Sequence, residues 1–152
     1  MARSQEVREE GDPVTRQEML DFVRKSPTSF MGTVEKGEPR VRGMDTPLVD
    51  ENGLTFLTGC VKDVCRQLLA DPSVELCYVD MENGTQLRLR GRMEHLEDEE
   101  IKKQIVNTRF TFLKPVAEKH GWGAFAVFRL RGGTARVWSA KNPAGGSEVF
   151  EF

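Results

Sequence analysis

FLTGCVKDVCRQLLADP, residues 56–72, decides how the rest of the chain is read. The apolar run Leu54-Thr55-Phe56-Leu57-Thr58 breaks at Gly59, and a short polar step with Lys62 and Asp63 follows. Val61, Val64, Cys65, Leu68 and Leu69 then fall at the spacing of one face of an amphipathic helix, which Asp71-Pro72 ends. A strand therefore turns sharply into a helix, with a hydroxyl, a glycine and a lysine at the joint. Such a joint gathers unpaired backbone N–H groups and the positive end of the helix. Thr58 adds a hydroxyl and Lys62 a cation, the chemistry that a phosphate monoester requires. The same residues also make a plain corner, with Lys62 solvated and Asp63 capping the helix.

Working outward, Asn52-Gly53 between two apolar runs is a hairpin signal, pairing 54–58 with a long strand over 39–49. Ser29-Phe30-Met31-Gly32-Thr33-Val34 reads as a strand closed by a turn at Glu35-Lys36-Gly37-Glu38. Before it, Thr15 and Glu18 form a capping box, Val14 staples to Met19, and Ser26-Pro27 stops the helix. On the C-terminal side, 74–79 is a strand and Asn83-Gly84 marks a second hairpin. A long strand over 85–96 carries a bulge or bend at Gly91. Acids at 97–100 suit the start of a third helix, Lys114-Pro115 opens a short fourth, and strands 124–131 and 134–139 flank Gly132-Gly133 as a third tight hairpin. Residues 141–146 read as coil. Tight hairpins imply antiparallel pairing, and neither βαβ alternation nor GxGxxG occurs. The expected fold is mainly β with peripheral helices, a small antiparallel barrel.

The 152 residues suit one domain, taken as 14–152 behind a flexible tail over 1–13. A net charge of -2 calls for neither nucleic acid nor an anionic membrane as partner. No run approaches the roughly 20 apolar residues of a membrane span, and the charged N-terminus lacks the apolar core of a secretory signal. Three cysteines, Cys60, Cys65 and Cys77, form no disulfide framework and fit a reducing cytoplasm. Cys65 and Cys77 read as small buried apolar residues, with Cys60 at the joint. With only His95 and His120 to join the cysteines, no zinc site is expected.

Arg40 and Arg42 share a strand face and can aim at one anion. Through the Asn52-Gly53 hairpin Arg42 approaches the joint, and Gly43 lets a flat ligand come close to the backbone. A solvated arginine face is the alternative. In Gln86-Leu87-Arg88-Leu89-Arg90-Gly91 the leucines alternate with polar residues, and Gln86 offers a donor and an acceptor to a heteroaromatic edge. Trp122 and Trp138 can shield a ring or fill a core. His95 and His120 are read as bland.

In this order, Glu38-Pro39-Arg40-Val41-Arg42, Glu51 through Gly59, Lys62-Asp63, Gln67-Leu68, Asp71-Pro72-Ser73-Val74-Glu75-Leu76 and Gln86 through Arg92 resemble the pyridoxamine 5'-phosphate oxidase-like superfamily. The resemblance implies a six-stranded antiparallel split barrel and a homodimer with FMN at its interface. Carried over, it implies Arg42 and Lys62 on the phosphate and the backbone of Gly43, Met44 and Asp45 along the flavin ring. Leu57 and Thr58 would contact the flavin, as would Gln86 and Trp138. Where pyridoxine phosphate oxidases carry a second lysine this chain has Pro47, and their closing Arg-Leu-x-Asp-Arg segment is missing. Both departures argue against oxidation of pyridoxamine phosphate. The shorter flavin-reductase-like and nitroimidazole-resistance-like members are more similar, although the latter use a histidine and residues 1–94 hold none. The implied activity is electron transfer from a reduced nicotinamide or another donor to a small acceptor. Its rivals are a split barrel holding haem or a deazaflavin, and a non-catalytic flavin sensor or carrier. No residue stands out as a general acid or base.

Overall fold

The structure, a computed structural model, describes residues 12–145 and 148–152. Helix α1 (Arg16–Lys25) opens with the capping box: Thr15 accepts from the Glu18 N–H, and the Glu18 carboxylate accepts from the Thr15 N–H. β1 (Thr28–Glu35) turns through Lys36 and Gly37, at φ 50° and 78°, into β2 (Glu38–Asp45). β3 (Leu48–Asp50), β4 (Gly53–Gly59), α2 (Asp63–Ala70), β5 (Ser73–Asp80), β6 (Thr85–Arg92) and β7 (Glu94–Leu96) follow. Then come α3 (Glu99–Thr108), α4 (Lys114–His120), β8 (Phe125–Leu130), β9 (Thr134–Ser139) and β10 (Glu148–Glu151). The strands form two antiparallel sheets, six-stranded in the order β10-β9-β6-β5-β1-β2 and four-stranded in the order β3-β4-β8-β7. This is a split barrel with helices outside it, as expected.

Three connections differ from the sequence expectation, and each carries the chain between the sheets. The long strand over 39–49 is two: β2 and β3 lie in different sheets, broken at Thr46-Pro47. Pro47 has no N–H to give a ladder, while the Thr46 N–H donates to Pro27 O at 2.9 Å and its hydroxyl meets the Tyr78 hydroxyl at 2.7 Å. The strand over 85–96 breaks in the same way at Met93, whose N–H donates to Pro72 O at 2.8 Å. Gly132-Gly133 is not a hairpin, since β8 pairs with β4 and β7 while β9 pairs with β6 and β10. The pattern of 124–139 shows two strands but not which sheet each joins. β10 was not expected at all. Helix α2 starts later than its stripe, so Val61 is 94% exposed and Gln67 is buried in its place. Of the expected tail, residues 1–11 lie outside the described residues, as does Gly146 of the coil; Pro13 is buried and Asp12 accepts from the Thr85 hydroxyl at 3.5 Å.

The main core lies between the sheets. Met31, Leu76, Tyr78, Leu87 and Leu89 meet Leu54, Phe56, Phe128 and Leu130, with α1 and α2 closing the ends. A second core packs α3, through Ile105 and Val106, on the other face of β4 and β8 at Leu57, Phe125 and Val127. Buried on both faces, β4 and β8 read as continuous apolar runs instead of alternating ones. No described helix is long and apolar enough to cross a membrane.

The crossing at Gly133 has a φ of 152°, and a Cβ there would stand 2.1 Å from the Arg90 carbonyl oxygen. Gly133→Ala is expected to destabilise the fold by roughly 1–3 kcal/mol. Gly43→Ala, where a Cβ meets nothing within 4 Å, is expected to leave the melting temperature unchanged. Thermal unfolding of the two variants checks this.

Candidate functional site at the strand–helix joint

β4 ends at the joint as expected. The Cys60 N–H donates to Ala124 O at 2.8 Å, and the Lys62 N–H turns back to Gly59 O at 3.0 Å. Lys62 is the N-cap residue of α2 and offers no side-chain cap. Asp63 does not cap either; it pairs with Arg66 at 2.8 Å. The helix start is thus left without a side-chain acceptor, and the exposed Lys62 ammonium has no partner among the described residues. Thr58, 8% exposed, lies on the face of β4 that carries Leu54 and Phe56, and its hydroxyl bonds to no described residue.

Arg42 reaches this place by a route the sequence did not show. β2 is not beside β4, because the Asn52-Gly53 hairpin pairs β4 with β3. Instead Arg42, on the inner face of the edge strand β2, spans to α2. Its Nη1 donates to Met31 O at 3.1 Å and to the Thr33 hydroxyl at 2.8 Å, and its Nη2 donates to Gln67 Oε1. All three acceptors are neutral. Partial burial pushes the guanidinium pKa down, and the carboxylate that acts against this, Asp63, is itself bonded to Arg66. Arg40 does not join Arg42; it pairs with Glu35 and Glu38 at the exposed end of the strand.

The surrounding charges are ordered. Glu35 receives Arg66 at 2.7 Å and the Gln67 amide at 3.2 Å, and the Arg66 bond holds its carboxyl below the ordinary range. Arg66 does the same for Asp63. Thr33 and Gln67, which complete the bracket around Arg42, were missed as site residues. A glutamine interrupting the apolar stripe of α2 was the available signal.

The other candidates divide into two groups. Gly43 is exposed, Met44 packs against the core, and Asp45 pairs at 3.0 Å with Arg109, the residue that caps the end of α3. β2 pairs only with β1, so the main chain of 43–45 has a free edge among the described residues. The Leu57 side chain lies under α3, and β3 pairs no further along β4 than Thr55. Gln86 and Trp138 are cross-strand partners on the outer face of β6 and β9. They stand three or more strand spacings from β2, roughly 14 Å at the least. One chain does not bring them to Arg42.

His95 stacks on Phe128 at 5.1 Å between centroids, and His120 is exposed at the end of α4. Trp122 packs into the second core. Cys65 is buried, but Cys77, expected to be buried, is half-buried because it points to the outer face of β5. Among the described residues no cluster of three or more His, Cys, Asp or Glu can hold a metal.

The sequence pattern of the pyridoxamine 5'-phosphate oxidase family matches residues 15–139, from the cap of α1 to the end of β9. No curated protein matches the chain significantly. Among solved structures, a NimC/NimA family protein from Clostridium acetobutylicum is 24% identical at a TM-score of 0.73, over 90% of this chain and 91% of that one. An FAD-binding protein from Mesorhizobium loti is 15% identical at a TM-score of 0.58, over 78% and 89%. A haem-binding protein from Mycobacterium smegmatis is 16% identical at 0.62, over 91% and 59%. At these identities the likeness is one of fold. The family pattern spans most of the chain and both sheets of the split barrel, and on that match the chain belongs to the pyridoxamine 5'-phosphate oxidase family.

Proposed function

We propose that this protein binds FMN at the strand–helix joint and serves as a flavin-dependent oxidoreductase, taking electrons from a reduced nicotinamide or another donor to a small acceptor. The observation that carries the reading is Arg42, a half-buried guanidinium held by three neutral oxygens and touching no carboxylate. A phosphate monoester supplies the missing countercharge. Lys62, unpaired at the α2 N-terminus, adds a second cation and Thr58 a hydroxyl. The free edge of β2 at Gly43, Met44 and Asp45 offers main-chain donors and acceptors to the polar rim of a flat ring, and the open space at Gly43 admits it. Leu57 contributes through its main chain. When bound, FMN supplies the redox chemistry, and the protein positions and tunes it.

A homodimer is part of the reading. Gln86 and Trp138, too far from Arg42 in one chain, come to the ring from a second copy. Phe30 and Val41 are 56% and 72% exposed on the outer face of the neighbouring strands β1 and β2, an apolar surface suited to that contact. A cytoplasmic location accords with three free cysteines. The FAD-binding and haem-binding structures of this fold make FAD and haem the rival ligands; the Arg42–Lys62 pair favours the monoester of FMN.

Arg42→Ala and Lys62→Ala are each expected to weaken FMN binding about tenfold or more, since a hydrogen bond to a charged group contributes about 1.5–3 kcal/mol. Quenching of flavin fluorescence on titration measures this; unchanged affinity in both variants contradicts the phosphate seat.

The seat is also expected to loosen in acid. Glu35 and Asp63 have folded-state pKa values below their ordinary ones, so their contribution to stability is present above the ordinary carboxylate range. It is lost as pH falls through the depressed values. Thermal stability should therefore drop from about pH 5 toward pH 3, and Glu35→Gln should flatten that slope. Melting curves across this range check it.

A further inference from the structure

Two thiols meet behind the joint. Cys60 follows the last residue of β4, and Cys65 lies in the first turn of α2, a spacing that matches no thiol motif in the sequence. The tight turn brings them together: the Lys62 N–H returns to Gly59 O at 3.0 Å, and the Cys65 N–H donates to Lys62 O at 3.1 Å. The Cys65 thiol thereby comes within hydrogen-bonding reach of the Cys60 sulfur. Cys65 is 2% exposed, and burial, then the Cys60 thiol beside it, push its pKa up. Cys60 is exposed, and its Sγ donates to Gly123 O at 3.3 Å. Both cysteines line one cavity of about 430 Å³ between α2, β7 and α3, with His95 and Lys102 on its far side. Cys77, on the outer face of β5, takes no part in it. An accessible thiol backed by a buried one is the arrangement that thiol–disulfide exchange requires: the outer sulfur meets the reagent and the inner one displaces it.

We propose that Cys60 and Cys65 are a reversible redox pair, oxidised to a disulfide by a small-molecule disulfide that enters through this cavity. The Cys60 thiolate attacks one sulfur of the reagent, whose S–S bond breaks and releases one thiolate, which takes a proton from solvent. The Cys65 thiolate then attacks Cys60 Sγ in the mixed disulfide, forms the Cys60–Cys65 bond and releases the second thiol. The protein loses two electrons and two protons, and the reagent becomes two thiols. In a reducing compartment such a bond is transient, which separates it from a structural disulfide. It closes the turn that carries Lys62 and removes the S–H bond to Gly123, so the joint has two covalent states. The pairing does not rest on the flavin reading.

The test uses the full chain without FMN, equilibrated in glutathione buffers of rising oxidised-to-reduced ratio. Samples are quenched in acid, unfolded and alkylated, and their intact mass and peptide map are read. Three alkylated thiols are expected to fall to one in a single two-electron transition. The remaining thiol should be Cys77, the mapped bond should join Cys60 to Cys65, and dithiothreitol should restore all three. Cys65→Ser should leave Cys60 as a mixed disulfide with glutathione, and Cys60→Ser should leave Cys65 alkylated at ratios that oxidise the parent chain. Three alkylated thiols at every ratio overturn the inference, as does a parent chain that stops at the mixed disulfide on Cys60. A bond between two chains, seen as a doubled mass without reductant, also overturns it. Formation of the Cys60–Cys65 bond in a chain that binds no FMN sinks the flavin reading and leaves this pair standing.

Discussion

The guanidinium of Arg42 ties the edge strand β2 to helix α2 through neutral oxygens, and the candidate site is organised by that tie. Gln67 has one oxygen, which accepts from Arg42 and from Thr33, and one amide nitrogen, which it gives to Glu35. Glu35 in turn takes Arg66, and Arg66 takes Asp63. Arg66 thus consumes both Glu35 at the end of β1 and Asp63 at the start of α2, leaving Arg42 and Lys62 without direct carboxylate contacts. A half-buried charge without a counterion is costly, and a dianionic ligand at this place offsets that cost.

Splitting the barrel is what leaves β2 with a free edge among the described residues. The chain changes sheets at Thr46-Pro47, at Met93 and at Gly132-Gly133. The first of these changes leaves β2 as an edge strand, paired on one side and open on the other. The last requires a backbone with no Cβ against the Arg90 carbonyl. Had β2 and β3 been one strand in one sheet, as their composition reads, Arg42 would have faced β4 and its bond to α2 would not exist.

Much of this was legible in the sequence, for identifiable reasons. The capping box, the 54–58 run, the glycine at 59 and the amphipathic helix act over a few residues, so local chemistry defines them. The place of Lys62 at the helix start follows from the same stretch, as does the pairing around Asn83-Gly84. What was not legible is which sheet a strand joins, because Pro47, Met93 and Gly133 mark a break without saying where the chain goes next. For the same reason the sequence leads Arg42 to the joint through β3 and β4, whereas the structure brings it there from the edge strand through Gln67. Gln86 and Trp138 were named through the superfamily resemblance, but a single chain holds them away from Arg42.

The central claim is that the joint holds FMN, and an absorbance spectrum tests it most directly: purified full-length protein is incubated with FMN, desalted and scanned. The account predicts retained flavin bands at close to one FMN per chain, bleached by a reduced nicotinamide and restored by an acceptor. Retained flavin without bleaching would leave a carrier instead of an enzyme. A Soret band, or a colourless protein after incubation with FMN, would contradict the account.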